Sequence, residues 1–460
     1  MTGSATSRAR RIAAGLLTLG MVACTRATPA TSVVSTSDAT PLHDAVKQVN
    51  DVIVYDIFSP PQASRVYAYA SIAAYEVLRQ ADSGYVTLAG QLRDLSPVPA
   101  RPAGAELSLP LAGVHAYMVV GRALTFSQER MDSLRAAMDE RFRDGMSKEM
   151  FANSIAYGDT VAKHVLAWAG KDGFKQRTGL AKYSVLRDAP GRWIPTPPAY
   201  MDAVEPNWGT LRPFTMDTSN QFRPEPPFPF DTAKTSDYFR ELREVHEVGK
   251  TLTAEQRAIA AFWDCNPFVM HVQGHTMFAT KKMSPGGHWM GIAGIASRKA
   301  KADMVKTAEA YAYTAIALAD GFLSVWAEKY VSAAIRPETV INKYFDESWT
   351  PLLQTPPFPE YTSGHSGISS SAAVVLTKLY GDGFAFADST EVEYGLPVRS
   401  FTSFEQAASE ASISRLYGGI HFRRAVEQGQ VQGRKVGEQV VARVRTRGAA
   451  AAPAAVTAAR

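Results

Sequence analysis

The sequence predicts a nearly all-α protein, and three observations carry that prediction. Apolar residues recur at helical spacing through most of the chain, and period-2 alternation is almost absent. Ten of the 27 prolines crowd into residues 190–229, which makes that stretch a long loop covering other elements. At 460 residues, with 46% hydrophobic and 20% charged side chains, the chain can bury a large core in one large or two medium domains. A net charge of +5 without any Lys/Arg-rich block does not call for nucleic acid or an anionic membrane as partner.

Ahead of the fold, SRARRIAAGLLTLGMVAC joins a basic region to an apolar run of about a dozen residues and ends in small residues before Cys24. It resembles a bacterial lipoprotein signal over residues 1–24, with lipidated Cys24 as the only membrane contact; an ordinary secretory signal cut nearby is the alternative. Either way export to the cell envelope is expected. TRATPATSVVSTSDATP reads as a flexible tether over residues 25–40. Cys265 is then the remaining thiol, so no internal disulfide is available and packing must hold the chain.

Ser59-Pro60-Pro61 is a helix start that SRVYAYASIAAYEVLRQ continues. Helices are further predicted near 105–125, 128–144 and 149–170, and with the Pro-rich loop they form an N-terminal half, 41–235. The second half, 236–445, is expected to carry helices near 236–249, 254–264, 300–335, 366–380, 404–417 and 421–443. Pro337 stops the long one. Its segment AYAYTAIALADGFLSVWA is apolar enough to raise a membrane span, but Asp320 in its middle and Glu328 and Lys329 at its end favour a buried core helix. RGAAAAPAAVTAAR reads as a disordered tail within 446–460. Internal repeats are not evident.

Three short segments carry charge and chemistry. In KYVSAAIRP, Lys329 and Arg336 lie two turns apart, so Trp326, Lys329, Ala333 and Arg336 are expected on one helix stripe. Buried cations need an anion. In YTSGHSG, Ser363, Gly364 and His365 stand where a helix begins, and a helix start offers free N–H groups and the positive end of the dipole. In SRLYGGIH, the pair Gly418-Gly419 breaks the helix between Arg415 and His421 and lets both side chains turn toward one point. This inventory suits a tetrahedral oxyanion held by cations, with one imidazole able to attack or ligate the central atom and the other able to move protons.

KYVSAAIRP, TSGH and SRLYGGIH resemble the tripartite signature of the vanadium-dependent haloperoxidase and type 2 phosphatidic acid phosphatase superfamily, written K-x6-R-P, P-S-G-H and S-R-x5-H. All three occur in order with their internal spacing intact, and FWDCNPFVMHVQGHTMF and SPGGHWMGIAGIAS extend the likeness to the soluble haloperoxidase branch. The resemblance implies stacked helical bundles with a C-terminal four-helix core. It makes His421 the residue bonded to vanadium, or the phosphohistidine nucleophile in a phosphatase. Lys329, Arg336, Ser363, Gly364 and Arg415 would neutralise the oxyanion, His365 would be the acid/base, and Trp326 and Phe358 would line the halide side. The implied cofactor is vanadate, with phosphate able to take the same place, and the implied substrates are hydrogen peroxide and halide.

Two positions depart from the signature. Thr362 replaces the usual proline, and Ala425 stands where the phosphatase pattern has an aspartate to orient the nucleophilic imidazole. Glu427 or a backbone carbonyl is the expected substitute partner. The alternatives are an acid phosphatase using His421 on phosphomonoesters and a non-enzymatic envelope phosphate-binding protein, which would need the cations but neither histidine.

Elsewhere, His271 and His275 in HVQGH have metal-ligand spacing, but Gly274 and the lack of a following glutamate favour packing or pocket-wall roles. His288 is expected near the pocket entrance, and Asp264 beside a pocket arginine or capping a helix end. No GxGxxG, complete GxxxxGKS/T or GxSxG pattern occurs, since Gly249-Lys250-Thr251 has Glu244 where a P-loop needs glycine, which argues against dinucleotide, P-loop and serine-hydrolase chemistry.

Overall fold

The computed structural model describes residues 35–448. The signal, Cys24, the tether up to residue 34 and the tail from residue 449 lie outside the described residues. Thirteen α-helices make up most of the described chain. In the N-terminal half they are α1 (Thr40–Tyr55), α2 (Pro60–Leu78), α3 (Leu109–Leu124), α4 (Gln128–Glu140) and α5 (Lys148–Ala169). After the Pro-rich loop come α6 (Asp237–Thr251), α7 (Ala254–Phe262), α8 (Pro285–Lys299), α9 (Met304–Ser332), α10 (Pro337–Tyr344), α11 (Gly364–Tyr380), α12 (Phe404–Tyr417) and α13 (Arg423–Arg443). Prolines open α1, α2, α3, α8 and α10, where their fixed φ suits a first turn and the missing N–H costs nothing.

The nearly all-α expectation holds, and the little strand present forms two antiparallel hairpins: β1 (Val269–Gln273) with β2 (Thr276–Thr280), and β3 (Phe386–Asp388) with β4 (Arg399–Phe401). HVQGH therefore forms a strand and its turn, with Gly274 at φ 59°, so His271 and His275 do not share a helix face. His271 instead bonds Thr280 Oγ1 at 3.0 Å across the hairpin.

Helices α9, α11, α12 and α13 pack into a four-helix core, and α2 joins α9 to α3 and α5. One buried apolar cluster runs through both halves, from Ala39 to Val444. Two glycines decide how α11 and α13 meet. A Cβ on Gly433 would lie 2.0 Å from the Gly367 carbonyl oxygen, and one on Gly429 would lie 2.9 Å from the Ser363 carbonyl oxygen. Only bare backbone allows that approach, and it fixes the start of α11 against the first half of α13.

Asp320 is wholly buried, and its carboxylate accepts Phe214 N–H at 2.7 Å, Thr215 N–H at 2.8 Å and the Thr215 hydroxyl at 2.6 Å. The acid thus fastens the Pro-rich loop onto α9. Among the described residues no helix is long and apolar enough to cross a membrane.

Both ends of the fold reach past their expected limits. Thr36 accepts the Met304 N–H at 2.7 Å, and Val86 N–H bonds the buried Thr446 carbonyl at 2.9 Å, so residues assigned to tether and tail are packed.

Candidate active site

The long helix ends earlier than its sequence pattern suggests. Ala333 takes the left-handed conformation at φ 47°, which costs about 1–2 kcal/mol for a residue with a Cβ. The Trp193 N–H bonds its carbonyl at 2.8 Å and Ile335 N–H bonds Gly191 at 2.9 Å, so a segment of the Pro-rich loop holds the break in place. Arg336 consequently leaves the helix and becomes the N-cap residue of α10. The single stripe of Trp326, Lys329, Ala333 and Arg336 does not exist, yet Lys329 and Arg336 still meet. Lys329 Nζ donates to the carbonyls of Pro359 (3.0 Å), Glu360 (3.0 Å) and Thr362 (2.5 Å). Arg336 Nε donates to Phe358 O at 2.9 Å. Both cations therefore clamp the turn that leads into SGH.

At that turn Ser363 is the N-cap of α11, its hydroxyl accepting the Ser366 N–H at 3.3 Å. Ser363 N–H in turn bonds the Ala425 carbonyl at 3.0 Å. This places Gly364 N–H and His365 in the first turn, at the positive end of a helix 17 residues long.

His421 arrives from the α12–α13 connection, where Gly419 at φ 75° supplies the break. Its Nδ1 lies 2.8 Å from Glu360 Oε1, which also accepts Phe422 N–H at 3.0 Å. Its Nε2 lies 3.2 Å from Arg336 Nη1. Nδ1–H therefore faces a carboxylate and the Nε2 lone pair faces the cations. Glu427, the expected partner, instead lies 3.8 Å from the exposed Arg423. Glu360 was legible only as the glutamate before YTSGH; nothing local links it to a residue 61 positions away.

Gly364, His365, Arg415, His421, Trp326 and Phe358 line a cavity of 270 Å³. Phe58 and Pro60 from the α1–α2 connection and Met201 and Val204 from the Pro-rich loop close its other side. Trp326 and Phe358 pack with centroids 4.9 Å apart, and Phe358 lies 5.1 Å from Lys329 Nζ and 5.0 Å from the Arg336 guanidinium. Arg415 Nη2 donates to Trp263 O at 2.6 Å, and Asp264, on the same wall, is near enough to favour its charge. His288 is not at the entrance. It is fully buried behind this wall, its ring stacked on Trp263 with centroids 4.5 Å apart.

Burial shapes the charges. It holds the Lys329 ammonium well below the ordinary lysine range, with Arg336 adding repulsion, and brings the Arg336 guanidinium down to about 10. Burial followed by Arg415 lowers His365, and burial followed by Arg336 and Lys329 lowers His421. Burial also raises the Glu360 carboxyl to about 8 against the pull of Arg336 and Lys329.

Comparison with known proteins gives the arrangement a lineage. A bacterial vanadium-dependent iodoperoxidase of known structure is 47% identical, covers 89% of this chain and 97% of its own, and superposes with a TM-score of 0.84. The chain belongs to the vanadium-dependent haloperoxidase family. A bacterial vanadium-dependent chloroperoxidase shares the fold of this haloperoxidase in its holo form (17% identity, TM-score 0.62, covering 90% of this chain and 94% of that one). Its apo form does so too (18%, 0.62, 82% and 92%). The model of the VCPO second helical-bundle domain matches residues 343–448. No curated protein matches the sequence.

The family implies vanadate, and the residues of this haloperoxidase fit a tetrahedral oxyanion. Arg336 Nη2 and His365 Nε2 are buried polar atoms without a hydrogen-bond partner, the kind of group that an oxyanion satisfies.

Proposed function

We propose that this chain oxidises halide with hydrogen peroxide, using vanadate held by Lys329, Arg336, Ser363, Gly364, Arg415 and His421. The observation that supports the assignment of residues is that Arg336 Nη2 and His365 Nε2 are each buried without a partner, while Arg336 Nη1 lies 3.2 Å from Nε2 of His421, which lines the same cavity as His365. Bound vanadate supplies the Lewis acidity that activates peroxide. The protein's part is binding and proton handling. Arg336 and Arg415 neutralise negative charge, Gly364 offers a helix-terminal N–H, and Lys329, whose donors already hold three carbonyls, acts through its charge. His421 Nε2 is the ligating atom, oriented by Glu360. His365 Nε2, free of protein partners, holds or moves the proton. The Trp326–Phe358 wall accepts a weakly hydrated halide and excludes water, so iodide and bromide are the expected substrates, ahead of chloride. Similarity to a bacterial iodoperoxidase supports iodide.

A second reading, phosphomonoester hydrolysis by the vanadate-free protein, is favoured by one observation: Glu360 orients the His421 imidazole although Ala425 replaces the aspartate. The test is iodide-dependent peroxide turnover with orthovanadate, beside phosphate-ester hydrolysis without it. Efficient hydrolysis with no peroxidase activity at any vanadate concentration would reverse the assignment. Phosphate should compete with vanadate, and additive binding of the two would exclude a shared site. A purely phosphate-binding role leaves the Glu360–His421 pair and the placement of His365 without purpose. Export through lipidation of Cys24 rests on the sequence pattern, and loss of membrane partitioning in Cys24→Ser tests it.

A further inference from the structure

Behind the pocket wall, a thiol, an imidazole and a carboxylate from three separate segments meet. Cys265, just after α7, has its Sγ 3.3 Å from Nδ1 of His288 in the first turn of α8. Glu391, in the β3–β4 connection, places Oε1 3.4 Å from that Nδ1 and 3.9 Å from the sulfur. Cys265 is 1% exposed and the other two are fully buried.

Two of the three separations, 3.3 and 3.4 Å, match ligands around one small ion, and the third, 3.9 Å, is slightly wider. Tetrahedral bonds of about 2.3 Å to sulfur and about 2.0 Å to nitrogen and oxygen set ligand atoms roughly 3.3–3.6 Å apart. The imidazole is also presented as a ligand. Its Nε2 lies 2.8 Å from Asp388 Oδ2, and Asp388 is itself held by Thr390 N–H at 3.0 Å and the Thr390 hydroxyl at 2.7 Å. A carboxylate that takes one ring N–H points the other nitrogen's lone pair into the cluster, the usual support of a metal-bound histidine.

A thiol–imidazole hydrogen bond would explain Cys265 and His288 but leaves Glu391 unexplained. Glu391 Oε2 is buried without a hydrogen-bond partner; Lys282 Nζ stands 3.8 Å from it, and His288 Nδ1 lies 3.4 Å from the other carboxylate oxygen. A buried carboxylate in that condition costs stability unless a charge meets it.

We propose that Cys265 Sγ, His288 Nδ1 and Glu391 Oε1 bind a zinc ion, separate from the oxyanion site. Mixed sulfur, nitrogen and oxygen donors select zinc over the hard cations, and thiolate plus carboxylate balance its two charges once the thiol proton is released to solvent. Cys265 and Asp264 line the cavity, and the Trp263 carbonyl holds Arg415, so the ion braces the wall that positions that arginine. It takes no part in the oxidation.

Metal analysis of the purified chain, titrated with zinc and dialysed, should give one zinc per chain. Cobalt substitution should produce a thiolate-to-cobalt charge-transfer band. Cys265→Ser should abolish that band, and Asp388→Asn, which only misorients the imidazole, should weaken zinc binding about 10–100-fold. If Cys265→Ser does not fold, the wild-type cobalt spectrum and the Asp388→Asn affinity decide. A folded wild-type chain that takes up neither ion at saturating metal, or whose bound cobalt shows no sulfur band, would overturn the proposal and leave the thiol–imidazole hydrogen bond alone.

Discussion

Glu360 Oε1 lies 2.8 Å from His421 Nδ1, and the same oxygen accepts the Phe422 N–H at 3.0 Å. Because Arg336 Nη1 faces Nε2 at 3.2 Å, the ring is held between the Glu360 carboxyl on one side and the Arg336 guanidinium on the other. Orientation of a ligating histidine by a carboxylate typically governs 10–100-fold in affinity or activity, by an estimate of about that size. Glu360→Gln should therefore lower vanadate affinity by about 10–100-fold while the fold persists. Equilibrium titration with vanadate checks this, and unchanged affinity would remove Glu360 from the site.

The two histidines should separate by phenotype. His421→Ala should lose vanadate-dependent turnover and any phosphohistidine, whereas His365→Ala should keep anion binding and lose about two to four orders of magnitude in turnover. Equal loss of anion binding in both variants would show that the division between ligand and acid/base is mistaken.

Anion binding should take up protons. Burial and Arg336 hold Lys329 below its ordinary range in the anion-free protein, and burial lowers both His365 and His421. A bound anion raises all three again, so between the free and bound values each binding event captures protons and affinity falls as pH rises. Below the free values the groups are already charged and the dependence flattens. Sulfate, which does not titrate near neutral pH, is the suitable probe. Calorimetry in two buffers of different ionisation enthalpy should show net uptake, and release of protons would contradict the electrostatic account.

The aromatic wall should act on halide more than on the oxyanion. Trp326→Ala with Phe358→Ala removes the apolar face beside Lys329 and Arg336 without removing either charge. Steady-state rates with iodide and bromide should fall by about tenfold or more, corresponding to roughly 1.4 kcal/mol, while vanadate affinity changes less. A fall in vanadate affinity as large as the fall in rate would assign the wall to the oxyanion.

Much of this molecule could be read from local patterns. Apolar spacing located most of the helices, including α12 at its observed bounds, because each amphipathic helix carries its own period wherever it packs. The three motifs pointed to Lys329, Arg336, Ser363, Gly364, His365, Arg415 and His421 as one proposed site, and the family resemblance added Trp326 and Phe358, because residues at a helix start or a glycine break keep fixed offsets along the chain. What resisted such reading depends on contacts between distant segments. The Pro-rich loop, not Pro337, ends α9, by bonding Ala333 and seating Arg336 at the head of α10. Glu360 reaches His421 across 61 positions, and His288 turns away from the cavity toward Asp388, 100 positions on. Burial is a property of the assembled core, so it leaves no period in the sequence. It is burial that depresses Lys329 and both site histidines and leaves Arg336 Nη2 and His365 Nε2 without protein partners, which turns the motif spacings into a site suited to an anion.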